Sequence, residues 1–330
     1  MNSVGIDISK GRSTIAVMRP FGEIVISPFE VRHTDSELSE LARRLKSLNG
    51  ETRVVMEATG NYHAPVAKLL HDAGLYVSVV NAKLVHGYGN NDLRRVKTDR
   101  KDAVKLANYG LDRWLTLPRY VPEENTRLLL KNCYRQYRQY SKVQTVLKNN
   151  LISLLDMTFP NANRLFVSPA RADGSEKWVD FVAEFWHCEC VSERSLKSFV
   201  NKYWRWCRKH GYNFSEEKAH AIYDEASGHI GVMPKSETTK LLVEQAVSQL
   251  SATSAALAAL KQEMQSLSSQ LPEYPVVMGM FGVGPILGPQ LIAEIGDVRR
   301  FYSKKALVAY AGIDAPPNLS LIHISEPTRH

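Results

Sequence analysis

SVGIDISKGRSTIAVMRPFGEIVIS, residues 3–27, decides the fold. Residues 3–8 set Val4, Ile6 and Ile8 at every second position. Residues 13–19 carry Ile15, Ala16, Val17 and Met18, and residues 23–27 carry Ile24, Val25 and Ile26. The spacing predicts three strands, and the short turns at Lys10-Gly11 and Phe21-Gly22 predict that they form an antiparallel meander. Further along, the period changes. Leu38, Leu41, Leu45 and Leu48 recur at helical spacing over 35–48, and Asn49-Gly50 ends that helix. RVVMEATG, residues 53–60, reads as a buried strand, 62–73 as a helix, LYVSVV at 75–80 as a strand and 99–110 as a helix. A meander followed by alternating helix and strand predicts an α/β unit ending near residue 117, before Pro118 and Pro122.

The rest of the chain reads as helical. Residues 126–155 form one long pattern whose basic residues, from Arg127 to Lys148, have no acid among them. Residues 160–240 contain loops, several short helices and a tryptophan-rich segment. From 243 to 271, Val243, Ala246, Leu250, Thr253, Leu257, Leu260, Met264, Leu267 and Leu271 alternate spacings of three and four. That is a coiled-coil seam, ended by Pro272, and it predicts a homodimer or higher homo-oligomer; an intrachain helical hairpin produces the same pattern.

Over 330 residues the formal net charge is +8, which favours a polyanionic partner. Four cysteines are too few for a disulfide framework, so a reducing compartment is expected. The opening residues lack the basic-then-apolar pattern of a signal peptide, and no run approaches the roughly 18 apolar residues of a membrane span. A soluble cytoplasmic protein, with no membrane partner, is the expectation.

The chemistry lies in four acids. Asp7 sits between Ile6 and Ile8 on the first strand, and Glu57 ends the fourth. Acids on apolar strands are costly unless they are paired or hold a cation. Asp99 and Asp102, in RRVKTDRKDA at 94–103, share a helix face and are surrounded by Arg94, Arg95, Lys97, Arg100 and Lys101. Four carboxylates suit Mg²⁺ or Mn²⁺, which take hard oxygen ligands. Taken singly, an acid at a strand end also reads as a solvated terminus, and Asp-x-x-Asp as surface charge.

The ordered set GID, MEATG and KTDRKDA resembles the DEDD transposases of the insertion-sequence 110 family, relatives of the pilin-gene invertases. The resemblance implies a ribonuclease H-like N-terminal domain of the Holliday-junction-resolvase type, in which Asp7, Glu57, Asp99 and Asp102 are the catalytic, metal-binding acids. It covers about residues 3–110. It resumes in MGMFGVGPILGPQLIAEIGD (278–297), where Gly282 and Gly284 form a helix-hairpin-helix-like turn suited to phosphate, and in AGIDAPP (311–317). A tight turn between two packed helices explains those glycines equally well. The resemblance further implies DNA as substrate, a structured guide RNA as partner, and a bacterial or archaeal cell.

The expected organisation is a catalytic domain at 1–117, a basic helical insert at 118–240, a coiled coil at 241–272 and the start of a C-terminal transposase domain at 273–318. LSLIHISEPTRH, 319–330, reads as a non-native tail. In the family this point leads to a Ser-Gly segment carrying a serine nucleophile. Ser320 falls near that place without the following glycine, so completed recombination by this chain is not expected. Further candidate contacts for nucleic acid are Arg135 and Arg138, interleaved with Tyr134, Tyr137 and Tyr140, and a second cationic stretch at 194–209. His187, Cys188, Cys190, Cys207 and His210 loosely resemble a zinc pattern, but Trp186, Trp204 and Trp206 among them point to core packing. Three other readings compete. They are a junction nuclease using the four acids alone, an actin-like nucleotide-binding fold that lacks its second phosphate loop, and a non-catalytic nucleic-acid-binding remnant.

Overall fold

In the computed structural model, which describes residues 1–58, 60–88 and 98–313, the opening segment forms the expected meander. Strands β1 (Asn2–Ser9), β2 (Arg12–Met18) and β3 (Ile24–Arg32) pair antiparallel in sequence order. β3 runs past residue 27 and through Pro28. Being an edge strand, it loses no ladder hydrogen bond to the proline on its open side. Helix α1 (Asp35–Lys46) begins where the Thr34 side chain accepts from the Glu37 amide, and Gly50 turns the chain at φ +95°. There follow β4 (Thr52–Glu57), α2 (His63–Asp72), β5 (Tyr76–Val80), α3 (Ala82–His86) and α4 (Asp99–Asp112). The five-residue α3 is too short to show a period, and the pattern of apolar residues does not reveal it.

The sheet order is β3-β2-β1-β4-β5, with β1, β4 and β5 parallel. One face carries Val4, Ile6, Ile8, Val54 and Met56, packed on Leu38, Leu41 and Leu45 of α1 and on Val66 and Leu70 of α2. The other carries Val55 and Val80 against Leu106 and Tyr109 of α4. β1 is therefore buried on both faces, which is why its apolar run is nearly continuous. A mixed five-stranded sheet between helices agrees with the α/β unit expected, and it belongs to a compact unit of residues Met1–Glu123.

The second unit, from Glu124 onward, is helical among its described residues. Its elements are α5 (Asn125–Thr158), α6 (Lys177–Glu184), α7 (Glu189–Ser192), α8 (Leu196–His210), α9 (Glu216–Gly228), α10 (Glu237–Ser269), α11 (Tyr274–Met278), α12 (Leu287–Ile295) and α13 (Lys304–Tyr310), with short 3₁₀ turns between some of them. α5 and α10 run antiparallel. Leu151 and Leu155 pack in one core with Val243, Ala246 and Leu250; Gln144 donates to Ser254 Oγ at 2.9 Å; Leu130 shares another core with Met264, Leu267 and Leu271. The seam expected to join two chains is thus buried within one. An apolar face on α5 answers that of α10, and Ser254, not Thr253, occupies the inward position.

The tryptophan-rich segment builds a core between the joined ends of this pair. Phe181 stacks on Phe185, and Tyr203 on Trp206 and Phe199; all are buried. Cys188 and Cys207 belong to that core, and His187 Nε2 lies 3.0 Å from the Met233 carbonyl oxygen. Among the described residues no three His, Cys, Asp or Glu side chains are placed to hold a metal ion, these included. The cysteine–histidine group is core packing.

Candidate functional site

Two strands set the first pair of acids. β1 and β4 are parallel with Ile6 beside Met56, so the next residues along, Asp7 and Glu57, are neighbours at the carboxyl ends of adjacent strands. Ile6 and Met56 point into the α1–α2 core. Strand alternation therefore turns Asp7 and Glu57 to the opposite face, the one covered by α4. Both are half-buried.

Helix α4 brings the second pair. It crosses β1 at Gly5, where a Cβ would collide with the Ala103 carbonyl and the Ala107 amide. Further along, Gly110 lies against Ser3 and Val55. The helix therefore runs opposite to β1. At about 1.5 Å per helical residue and 3.3 Å per strand residue, the turn at 99–102 reaches the end of β1 that carries Asp7. All four acids lie on one face at one end of the sheet.

Local forces explain part of this. Thr98 caps α4, its side chain accepting from the Lys101 amide, and Asp99 and Asp102 occupy the first turn, where the helix dipole favours negative charge. That accounts for acids at these positions without a cation. It does not account for Asp7 and Glu57 side by side on two strand ends. Four carboxylates with no thiol or imidazole among them suit a hard divalent cation in chemistry. In spacing, no three His, Cys, Asp or Glu side chains among the described residues converge closely enough to hold one ion. The fold gathers the acids without closing a coordination shell around them.

The expected basic partners divide. Arg100 and Lys101 are exposed in the first turn of α4, beside the acids. Arg94, Arg95 and Lys97 lie outside the described residues, as does Ser320. Arg135 and Arg138 are exposed on α5, whereas Tyr134 and Tyr137 pack against the core that α5 shares with α10 and α12. Two of the three tyrosines interleaved with these arginines thus face the helical hairpin. Gly282, at φ +79°, and Gly284 lie in the turn between α11 and α12, where a Cβ on either would meet nothing within 4 Å. Beyond the turn Gly288 abuts the Met278 side chain, so two helices pack closely behind open glycines. The reading of the sequence missed His63, which opens α2 beyond Glu57. Its Nδ1 is buried without a hydrogen-bond partner among the described residues, and a lone histidine in a loop-to-helix junction carries no periodic signal.

The family model for insertion-sequence 110 DEDD transposases, described as "Transposase", matches residues 4–160. A second, "Transposase IS116/IS110/IS902 family", matches residues 274–321. The pilin gene-inverting protein of Moraxella bovis is 27% identical over 134 residues, 41% of this chain and 38% of that protein. The "Insertion element IS116 uncharacterized 44.8 kDa protein" of Streptomyces clavuligerus is 23% identical over 316 residues, 95% of this chain and 76% of that one. Among solved structures, T. thermophilus RuvC in complex with a Holliday junction substrate superposes with a TM-score of 0.28 at 13% identity, over 36% of this chain and 99% of that one. The match to the pilin gene-inverting proteins spans less than two-fifths of their length.

Proposed function

Since this chain belongs to the insertion-sequence 110 family of transposases, we propose that its α/β unit is the nuclease half of a DNA recombinase, cutting strands at the end of the sheet where the four acids gather. The observation that carries the reading is the crossing of α4 over Gly5, which directs the Asp99–Asp102 turn toward Asp7 and Glu57.

In this reading Asp7, Glu57, Asp99 and Asp102 would hold Mg²⁺ or Mn²⁺, which would supply Lewis-acid stabilisation of charge at a scissile phosphate. The protein's own part is positional. Asp7 and Glu57 stand on paired strands with hydrogen-bonded ladders, so their separation is set by the sheet. Arg100 and Lys101, projecting from the same turn as the aspartates, contact phosphates flanking the cut. Gly282 and Gly284 leave backbone N–H groups accessible to a second stretch of phosphate. A structured guide RNA belongs to the proposal through the family resemblance; the charge of +8 supports a nucleic-acid partner.

The test is strand cleavage of branched DNA and of insertion-sequence ends by the purified chain in Mg²⁺. Asp102→Asn abolishes cleavage and keeps the wild-type melting temperature. Full cleavage by that variant overturns the assignment.

A further inference from the structure

Residues 161–273 lie between the two stretches that the family models match, so the resemblance assigns them no role. Within them, α8 (LKSFVNKYWRWCRKH) contains no acid. Its buried stripe, Phe199, Tyr203, Trp206 and Cys207, is locked into the aromatic core. Its opposite face sets Lys197, Asn201, Arg205 and Lys209 four residues apart, a row about 18 Å long. These line an open groove of about 720 Å³ together with Arg194 and Lys202. Lys202 pairs with Glu184 at 3.3 Å. Among the described residues Lys197, Arg205 and Lys209 make no ion pair, so the row's charge is not neutralised within the unit.

We propose that this face of α8 binds single-stranded DNA, at a site separate from the carboxylates. The charges are strung along the helix and do not converge on a point, which matches a backbone of repeated phosphates and not one small anion. A membrane surface is excluded by the same helix, whose apolar stripe is already inside the core with nothing left to insert. Trp204 selects a single strand over a duplex. It is 40% exposed on the cationic face, with the Arg208 guanidinium carbon 4.9 Å from its ring centre. An unpaired base can stack on that indole, whereas duplex bases are already stacked on each other. The choice of DNA rests on the recombinase reading above, because strand exchange must unpair DNA and so supplies the ligand.

The experiment measures binding of a labelled oligothymidylate to the whole chain by anisotropy across salt concentrations, with an oligouridylate and a DNA duplex as parallel probes. Oligothymidylate carrying iodo-deoxyuridine is also photo-cross-linked and the attached peptide mapped. Oligothymidylate binds more tightly than duplex and cross-links at Trp204. Lys197→Gln, Arg205→Gln and Lys209→Gln together weaken binding by about tenfold or more at low salt and lower the salt slope by roughly 2. Trp204→Ala weakens it by about 5- to 150-fold and Trp204→Phe restores most of the loss. These side chains are solvent-facing, and an unchanged thermal melt verifies that the variants fold. Equal affinity of the variants and wild type, duplex binding as tight as oligothymidylate, or cross-linking confined to other peptides overturns the proposal. Oligouridylate binding tenfold tighter than oligothymidylate overturns the choice of DNA. Absence of DNA cleavage by the wild-type chain in Mg²⁺, with oligothymidylate binding and the Trp204 cross-link intact, sinks the nuclease reading alone.

Discussion

Gly5→Ala tests the joint on which the candidate site depends. Its new methyl group points at α4 and meets backbone, namely the Ala103 carbonyl, the Ala107 amide and the Leu106 carbonyl carbon at 3.0 Å. Backbone atoms of a helix cannot rotate aside, so α4 must rise from β1. Overpacking of this kind costs about 1–3 kcal/mol, and alanine regains about 0.5–1 kcal/mol over glycine by restricting the unfolded chain. The net loss is about 1–2 kcal/mol, read as a lower urea midpoint at unchanged slope. The effect on chemistry is larger, because the Asp99–Asp102 turn rides on the displaced helix. A shift of about 1 Å at a reacting centre costs on the order of 100-fold in rate. Gly110→Ala is the control. There the methyl group meets side chains, Ser3 Oγ and Val55 Cγ2, at the far end of α4 from the acids. It destabilises the unit with a smaller loss of cleavage. A Gly5→Ala protein with the wild-type urea midpoint, or one destabilised yet cleaving at the wild-type rate, refutes the crossing geometry as the determinant of the site.

Mg²⁺ at about 100 times its dissociation constant stabilises wild type by about 2.7 kcal/mol in thermal melts, and Asp7→Asn and Asp102→Asn lose that increment; equal stabilisation of all three proteins rules out a site at these acids. Arg127, 6% exposed, is held by both oxygens of Glu273 and pairs with the more exposed Glu124 at 3.3 Å, so Glu273→Gln removes its better-buried partner and costs about 1.5–3 kcal/mol. The Arg127 hydrogen bond also holds the Glu273 carboxyl below its ordinary value of 4.5. A depressed carboxylate adds stability that is fully present above its unfolded pKa and lost as pH falls through the lower folded one. Wild type therefore weakens from about pH 4.5 downward, and Glu273→Gln flattens that part of the urea-midpoint profile. Leu250→Ala costs about 2–5 kcal/mol and leaves the sedimentation mass unchanged, because its seam lies inside one chain; dissociation of an oligomer by this change contradicts the hairpin.

Local period determined most of the first unit. The meander, the leucine spacing of α1 and the apolar run of β4 each follow from which faces a single element must bury, and that is a property of neighbouring residues. The acids were legible for the same reason, since Asp7 and Glu57 stand out against the apolar strands that carry them. What brings them together was not legible. The parallel pairing of β1 with β4 joins residues about fifty positions apart, and no spacing within either strand encodes its partner. Gly5 read as an ordinary strand residue; its importance comes from α4, a hundred residues later. Thr98, Asp99 and Asp102 announce a helix start, but only the crossing determines which sheet end that start reaches. The heptads of α10 specified an apolar seam and left its partner open, because a second chain and an antiparallel α5 bury the same side chains. The cysteines and histidines match a zinc spacing only loosely, and the tryptophans among them point to the core packing that burial among aromatic rings realises. Local sequence determines which face of an element must leave water; which surface meets it is decided by the whole chain, through contacts whose energy depends on residues far apart in order.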